Sequence, residues 1–260
     1  MNTESRIWHS NILGTGKDLV ILHGFLGMGD NWISLARRWA AGGFRVHLPD
    51  LRNHGQSFWD ERFDFEVLLD DLRRYIGHHQ LHKPHIIGHS LGGKLSMFDA
   101  LDEPGNRGKY VVLDIAPRAY GRRHDFIFRA VRQTSPGQCR TRNEVEAQLM
   151  PHLPQAHIRR FVMKNLKRLP GGGFAWKIPW DILEKSVENI GRALPQGKSS
   201  NTNILFLRGE NSDFVLDDDI AQIKQIFPRA KIHSIPGAGH WLHAEQPEMV
   251  YRIITDFLNA

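Results

Sequence analysis

Short apolar runs alternate with amphipathic segments through the first half of the chain. DLVILH (18–23), FRVHLP (44–49), PHIIGH (84–89) and KYVVLDI (109–115) each predict a buried strand. They are almost continuously apolar, as parallel strands covered on both faces are. Between them, DFEVLLDDLRRYI places Phe65, Leu68, Leu69, Leu72 and Ile76 at i, i+3, i+4, i+7 and i+11, one helical stripe, with Asp64 as N-cap. Strand and helix in alternation predict the α/β class, a mostly parallel twisted sheet with helices on both faces.

After Pro117 the rhythm stops for some eighty residues, where arginines, prolines and the GGG of 171–173 interrupt helical fragments such as NEVEAQLM and WDILEKSVENI. No strand pattern is visible there. Strands return with NILFLRG (203–209) and AKIHSIPG (230–237), and a last helix follows in PEMVYRIITDFL, where Val250, Ile253, Ile254, Phe257 and Leu258 form the apolar face behind Pro247. The expected organisation is a core made of residues 1–116 and 201–260, split by a helical cap insertion at 117–200.

Composition narrows the class. The chain has 260 residues, 41% hydrophobic and 24% charged, which suits a soluble globular protein of single-domain size. Cys139 is the lone cysteine, so an intrachain disulfide is excluded. MNTESRIWHSNILG carries no apolar leader, and no stretch approaches the roughly 20 apolar residues needed to span a bilayer, so a cytoplasmic location without a membrane span is expected. The net charge is +6, but the basic residues are scattered, the densest group being Arg118, Arg122, Arg123 and His124. Without a nucleic-acid motif, this favours attraction of an anionic small substrate over nucleic-acid binding.

The strongest chemical signal is IIGHSLGG (86–93), which sets Gly88-His89-Ser90-Leu91-Gly92 between a predicted strand and a predicted helix. That is the G-x-S-x-G turn in the context its mechanics require: a tight reversal exposes the serine hydroxyl, and the following helix N-terminus points N–H groups at developing negative charge. A serine nucleophile needs a base. Of 15 histidines, His240 stands apart in GAGHW, a glycine-flexed loop after the last predicted strand, at the edge of the sheet where such folds place their sites. For an oxyanion, LHGFLG (22–27) follows the first predicted strand, and the N–H groups of Phe25 and Leu91 are the expected donors. His23 is expected to buttress that loop, and His54 to be structural.

HGFLG, DLRNHGQS (50–57), GHSLGG, LDIAP and GAGHW together resemble the α/β-hydrolase superfamily. They are most similar to its esterase and thioesterase branch with the YbfF-type bacterial esterases and the abhydrolase-11 proteins. The resemblance implies the α/β-hydrolase fold and hydrolysis of carboxylic esters or acyl thioesters, with no metal or organic cofactor. Dehalogenase chemistry, which needs a carboxylate where this chain has Ser90, is set aside.

The third member of a triad is open to two aspartates, since Asp114 and Asp213 both lie between Ser90 and His240. Counting G-x-x-D from Gly209 lands on Ser212, one residue short of Asp213. The resembled branch reads G-N-S there and uses the aspartate ending the earlier strand, which corresponds to Asp114. Asp114 is therefore the expected acid and Asp213 the alternative, with Ser212 supporting. His23, Gly24, His89, Arg118, Trp180 and Trp241 are the expected pocket residues, with Trp176 and Phe174 as further candidates. Arg118, Arg122 and Arg123 are placed to meet a phosphate-bearing leaving group such as coenzyme A. The expected partner is thus a small ester or acyl thioester, acyl-CoA among them, and the expected state a monomer or homodimer. Two readings compete: carbon–carbon bond hydrolysis or lyase chemistry on the same fold, and a non-catalytic ligand-binding protein.

Overall fold

The computed structural model describes residues 6–260. The elements run β1 (Ser10–Leu13), β2 (Lys17–Leu22), α1 (Ile33–Ala41), β3 (Phe44–Pro49), α2 (Phe65–His78), β4 (His85–His89), α3 (Leu91–Asp102) and β5 (Tyr110–Leu113). After a long interruption come β8 (Ile204–Gly209), α9 (Asp217–Ile226), β9 (Lys231–Ile235), α10 (Leu242–Glu245) and α11 (Pro247–Asn259). Between β5 and β8 lie α4 (Asp125–Arg132), α5 (Arg142–Leu149), α6 (Ala156–Met163), β6 (Leu166–Arg168), β7 (Phe174–Trp176), α7 (Trp180–Lys185) and α8 (Val187–Gly191).

Seven strands form one sheet in the order β1-β3-β2-β4-β5-β8-β9, with β1 antiparallel to β3 and every other pairing parallel. Alternation along β2 divides the core: Leu19 and Ile21 pack with Trp39, Val250 and Ile254 on one face, while Val20 and Leu22 pack with Leu72 and Tyr75 on the other. On α11 the predicted stripe narrows to three fully buried side chains, Val250, Ile254 and Leu258, each contributing about 1.5–3 kcal/mol by burial. In α2, Asp64 caps as expected, its carboxylate accepting from the Val67 N–H at 2.9 Å. Helix α3 is buried nearly all round, from Leu91 through Ala100, so it lacks an amphipathic period. Two of its polar members, Ser96 and Asp99, find partners inside the protein. The Ser96 hydroxyl donates to the Gly92 carbonyl at 2.8 Å, and Asp99 accepts from Arg107 at 3.0 Å and from the Tyr110 hydroxyl at 2.7 Å.

Two sequence expectations need correction. Residues 10–13, for which no strand was expected, pair with β3 at the sheet edge; the segment is short and only half-buried, so no apolar run announces it. The insertion also contains strands. Leu166–Arg168 and Phe174–Trp176 form an antiparallel ribbon, and the GGG between them is its turn, with Gly172 at φ 96° and Gly173 at φ 72°. Three-residue strands are too short to show a period of two. The two ends of the insertion run side by side, the Leu194 N–H donating to the Pro117 carbonyl at 2.9 Å and the Tyr120 N–H to the Gly191 carbonyl at 2.7 Å. Among the described residues, no helix is long and apolar enough to cross a membrane.

Candidate active site

The C-terminal ends of β2, β4, β5, β8 and β9 open onto one edge of the sheet, and the loops leaving them hold the expected residues. Ser90 lies between β4 and α3 with φ 52° and ψ −112°, a strained conformation for a residue with a side chain. The glycines on either side are there for space. A Cβ on Gly88 would lie 2.2 Å from the Gly92 carbonyl oxygen, and one on Gly92 would lie 2.3 Å from the Leu22 carbonyl oxygen. The turn can therefore be this tight only with glycine at both positions.

Asp114 follows β5, also at positive φ (51°), and is fully buried. Its carboxylate is completely engaged: one oxygen accepts from the Gly209 N–H at 2.9 Å, and the other from the Ser212 hydroxyl and from His240 Nδ1–H, the latter at 2.8 Å. A carboxylate can only accept here, so the bond places the His240 proton on Nδ1 and leaves Nε2 free to act as a base. The imidazole stacks on Phe214 at 3.7 Å and 17°. His89, beside Ser90, donates to the His240 carbonyl at 2.9 Å, which ties the base-bearing loop to the serine turn. Asp213, in contrast, points away: its side chain is 71% exposed and pairs with Arg123 at 2.7 Å, a guanidinium that holds the carboxyl below its ordinary range.

The loop after β2 lies against the serine turn. A Cβ on Gly24 would fall 2.7 Å from the His89 ring and 3.4 Å from the Ser90 Cβ, so the backbone at Gly24 and Phe25 comes as close as an unsubstituted residue permits. Leu91 opens α3, where the first N–H groups have no acceptor within the helix. Two buried histidines fix this loop from behind. His23 donates from Nδ1 to the Gly24 carbonyl at 2.8 Å and accepts the Leu51 N–H at Nε2, 3.0 Å away. His54 donates to the Arg52 carbonyl at 2.9 Å and accepts the Leu26 N–H at 3.1 Å. The DLRNHGQS segment is thereby part of the scaffold behind the loop, and His23 belongs to that scaffold rather than to a pocket wall.

Each of these rings must be neutral to accept an amide proton, and burial keeps it so, holding His23 below its usual value and His54 down to about 3. Burial likewise holds His47, His85 and His124 near 4 and His243 near 3. The unfolded chain takes up these protons near pH 6.5, so the stabilisation is complete above that pH and is lost as the pH falls toward the folded-state values. Each histidine contributes up to about 1.4 kcal/mol per pH unit within that window. Thermal unfolding should accordingly show a Tm that falls steeply from pH 6.5 to 5. An equal Tm at pH 8 and pH 5 would contradict this.

A cavity of about 50 Å³ adjoins Ser90. Its walls include Phe25, Leu91, Ile115, Val187, Ile190 and Phe214, with Lys94, Tyr120, Arg123 and His124 as the polar side chains. Most of the expected pocket residues are elsewhere. Trp180 packs edge-on against Trp176 and Phe128 within the insertion, Phe174 is buried there, and Trp241 contacts His157 and Phe161. The three arginines expected to meet phosphate are each on a carboxylate, Arg118 on Asp219 at 2.9 Å, Arg122 on Asp125 at 3.0 Å and Arg123 on Asp213 at 2.7 Å. Tyr120, Phe214 and Lys94 carried no local signal. They meet only because the insertion, the loop after β8 and α3 converge at the sheet edge. No group of His, Cys, Asp and Glu suited to a metal ion occurs among the described residues.

The sequence profile of the Alpha/beta hydrolase family matches residues 19–253. The chain is 33% identical to Esterase YbfF of Escherichia coli (strain K12) over 246 residues, covering 93% of this chain and 92% of that one. It is 32% identical to the sn-1-specific diacylglycerol lipase ABHD11 of Mus musculus over 247 residues, 92% of this chain and 80% of that protein. Among solved structures, a marine microorganism esterase superposes with a TM-score of 0.93 at 39% identity, covering 97% of this chain and all of that one. With its parallel sheet, its serine turn after β4 and these similarities over nearly its whole length, the chain belongs to the alpha/beta hydrolase family.

Proposed function

We propose that this protein is a carboxylesterase that works through an acyl-enzyme on Ser90. In this reading His240 Nε2 takes the Ser90 proton as the hydroxyl attacks the acyl carbonyl, and then gives it to the leaving alcohol or thiol. Asp114 orients the imidazole and stabilises its protonated form. The Phe25 and Leu91 N–H groups receive the oxyanion, and water enters by the same route to release the acid. The observation that carries the reading is the 2.8 Å bond from His240 to a buried Asp114, in a loop tied to a serine held at positive φ at the start of a helix. The similarity to proteins named as an esterase and a diacylglycerol lipase supports an ester as substrate.

Residues 117–200 act in this proposal as a cap, bringing Tyr120, Val187 and Ile190 over the serine. The chemistry calls for no cofactor. Acyl thioesters, acyl-CoA included, share the reacting carbonyl, but the carboxylate already on each of Arg118, Arg122 and Arg123 argues against a phosphate preference. A fluorophosphonate tests the reading directly. It is expected to add covalently at Ser90, as read by mass spectrometry of the digested protein, with turnover of ethyl esters in a series graded from acetate to octanoate. A protein that stays unlabelled and hydrolyses none of the series would be a binding protein on a hydrolase fold, and the proposal would fail.

A further inference from the structure

One cation beside Ser90 has no counter-ion. Lys94 stands one helical turn after the serine, is 1% exposed and lines the same cavity. Its ammonium donates to two backbone carbonyls, Ala116 at 2.7 Å and Arg118 at 2.6 Å, and lies 5.0 Å from the centre of the Tyr120 ring. Among the described residues no carboxylate comes within ion-pair distance of it, although Arg118 and Arg123 close by are each matched with an aspartate. An ammonium has three protons to donate, and these two carbonyls use two. The other basic wall residues are Arg123 and His124, and no acidic side chain lines the cavity.

A buried charge without a partner is costly, and a site that keeps one does so most economically when a ligand completes it. Building on the esterase reading, we propose that Lys94 forms an anion subsite beside the nucleophile and that the preferred substrate is an ester bearing a carboxylate a short chain away from the scissile carbonyl. The 50 Å³ cavity, lined by Ile115, Val187 and Ile190, suits a short chain. Two arrangements supply the same carboxylate. It can sit on the acyl side, as in a dicarboxylic half-ester, or on the alcohol side, as in an acylated hydroxy acid.

The proposal is tested by kcat/KM for two matched pairs, monoethyl succinate against ethyl butyrate and O-acetylglycolate against ethyl acetate. For the wild type, the charged member of at least one pair is expected to be favoured tenfold or more, and the pair that responds identifies the side. In Lys94→Met that ratio is expected to fall to near one, whereas damage to the fold or the triad lowers both members together and leaves the ratio intact. A wild-type ratio near one in both pairs, or a ratio unchanged in Lys94→Met, would overturn the subsite. Absence of all turnover would instead overturn the esterase reading.

A second measurement reads the charge by inhibition. Glutarate is expected to inhibit ethyl butyrate hydrolysis more strongly than valeramide does, and its advantage should shrink as the pH rises from 6 to 8.5. Burial depresses the Lys94 amine to about 7, so it is charged below that pH and neutral above it. The groups around it hold their state through this range: Tyr120 is pushed up to about 12, His124 is held near 4, and Arg118 and Arg123 are guanidiniums on Asp219 and Asp213. Titrations that affect both inhibitors alike cancel in the comparison, and repeating it in Lys94→Met removes the contribution of the His240 imidazole, whose charge would also favour the dianion. A glutarate advantage that is absent, or constant over that range, would also count against Lys94.

Discussion

Ser90→Ala is expected to lower kcat for every ester the protein hydrolyses by about four to six decades, with KM little changed. The size follows from the proposed chemistry. Removing the nucleophile of a serine hydrolase removes the covalent route, and the remaining oxyanion donors and bound geometry leave roughly 10³–10⁴-fold over water. Steric disturbance should be small, because Ser90 is buried in a turn whose tightness is set by the glycines on either side and whose φ of 52° is held by β4 and α3. The variant should fold with an unchanged circular dichroism spectrum and lose fluorophosphonate labelling. Retention of more than a tenth of the wild-type rate, measured on the same ester with the same preparation, would remove Ser90 from the mechanism.

The second large effect separates the two aspartates. Asp114→Asn is expected to reduce kcat about 10⁴-fold, because an amide in that position can present its NH2 to the imidazole and favour the wrong tautomer. Asp213→Asn should change kcat by less than tenfold. Its carboxylate is mostly exposed and bonds to Arg123 rather than to the imidazole, so its removal breaks a surface ion pair worth little in water. The order reversed, with Asp213→Asn collapsing and Asp114→Asn active, would move the acid to the loop after β8. Comparing the two variants side by side also controls for general damage, since both replace a carboxylate by an amide of the same shape.

How far the sequence could be read depended on the range over which each feature is encoded. Five of the seven sheet strands announce themselves because a strand covered on both faces must be apolar at nearly every position, which is visible within six residues. The mostly exposed edge strand β9 shows only through Ile232 and Ile235 between turn residues. Strand β1 does not, since an edge strand with half-exposed side chains needs no such run. The ribbon at 166–176 escapes for a related reason, its three-residue strands being shorter than any pattern. Ser90 and His240 stand out because the local backbone must be unusual where they sit, and glycine records that. Asp114 is different. Its bond to His240 spans 126 positions, nothing in LDIAP marks a carboxylate with three donors, and only the resemblance to known esterases singled it out over Asp213. Lys94 reads as an ordinary helix lysine until the Ala116 and Arg118 carbonyls and the empty space beside Ser90 are placed around it. Aromatic residues misled in the opposite direction. Trp180 and Trp241 look like pocket walls in the chain, yet large rings are as well used filling the interior of a small helical layer.

The adjoining ends of the insertion have an evolutionary consequence. Pro117 and Leu194 share a hydrogen bond, and Tyr120 and Gly191 share another, so the chain leaves the sheet and returns to it through a single narrow gate. Whatever is built between those two points closes a loop whose ends already touch, and the entropy of such closure rises only slowly with length. Natural variation can therefore lengthen, shorten or exchange that whole segment while β5, β8 and the hydrogen bonds around Asp114 stay as they are. In this architecture, the part of the cavity wall that comes from the insertion can change without touching the residues of the proposed triad.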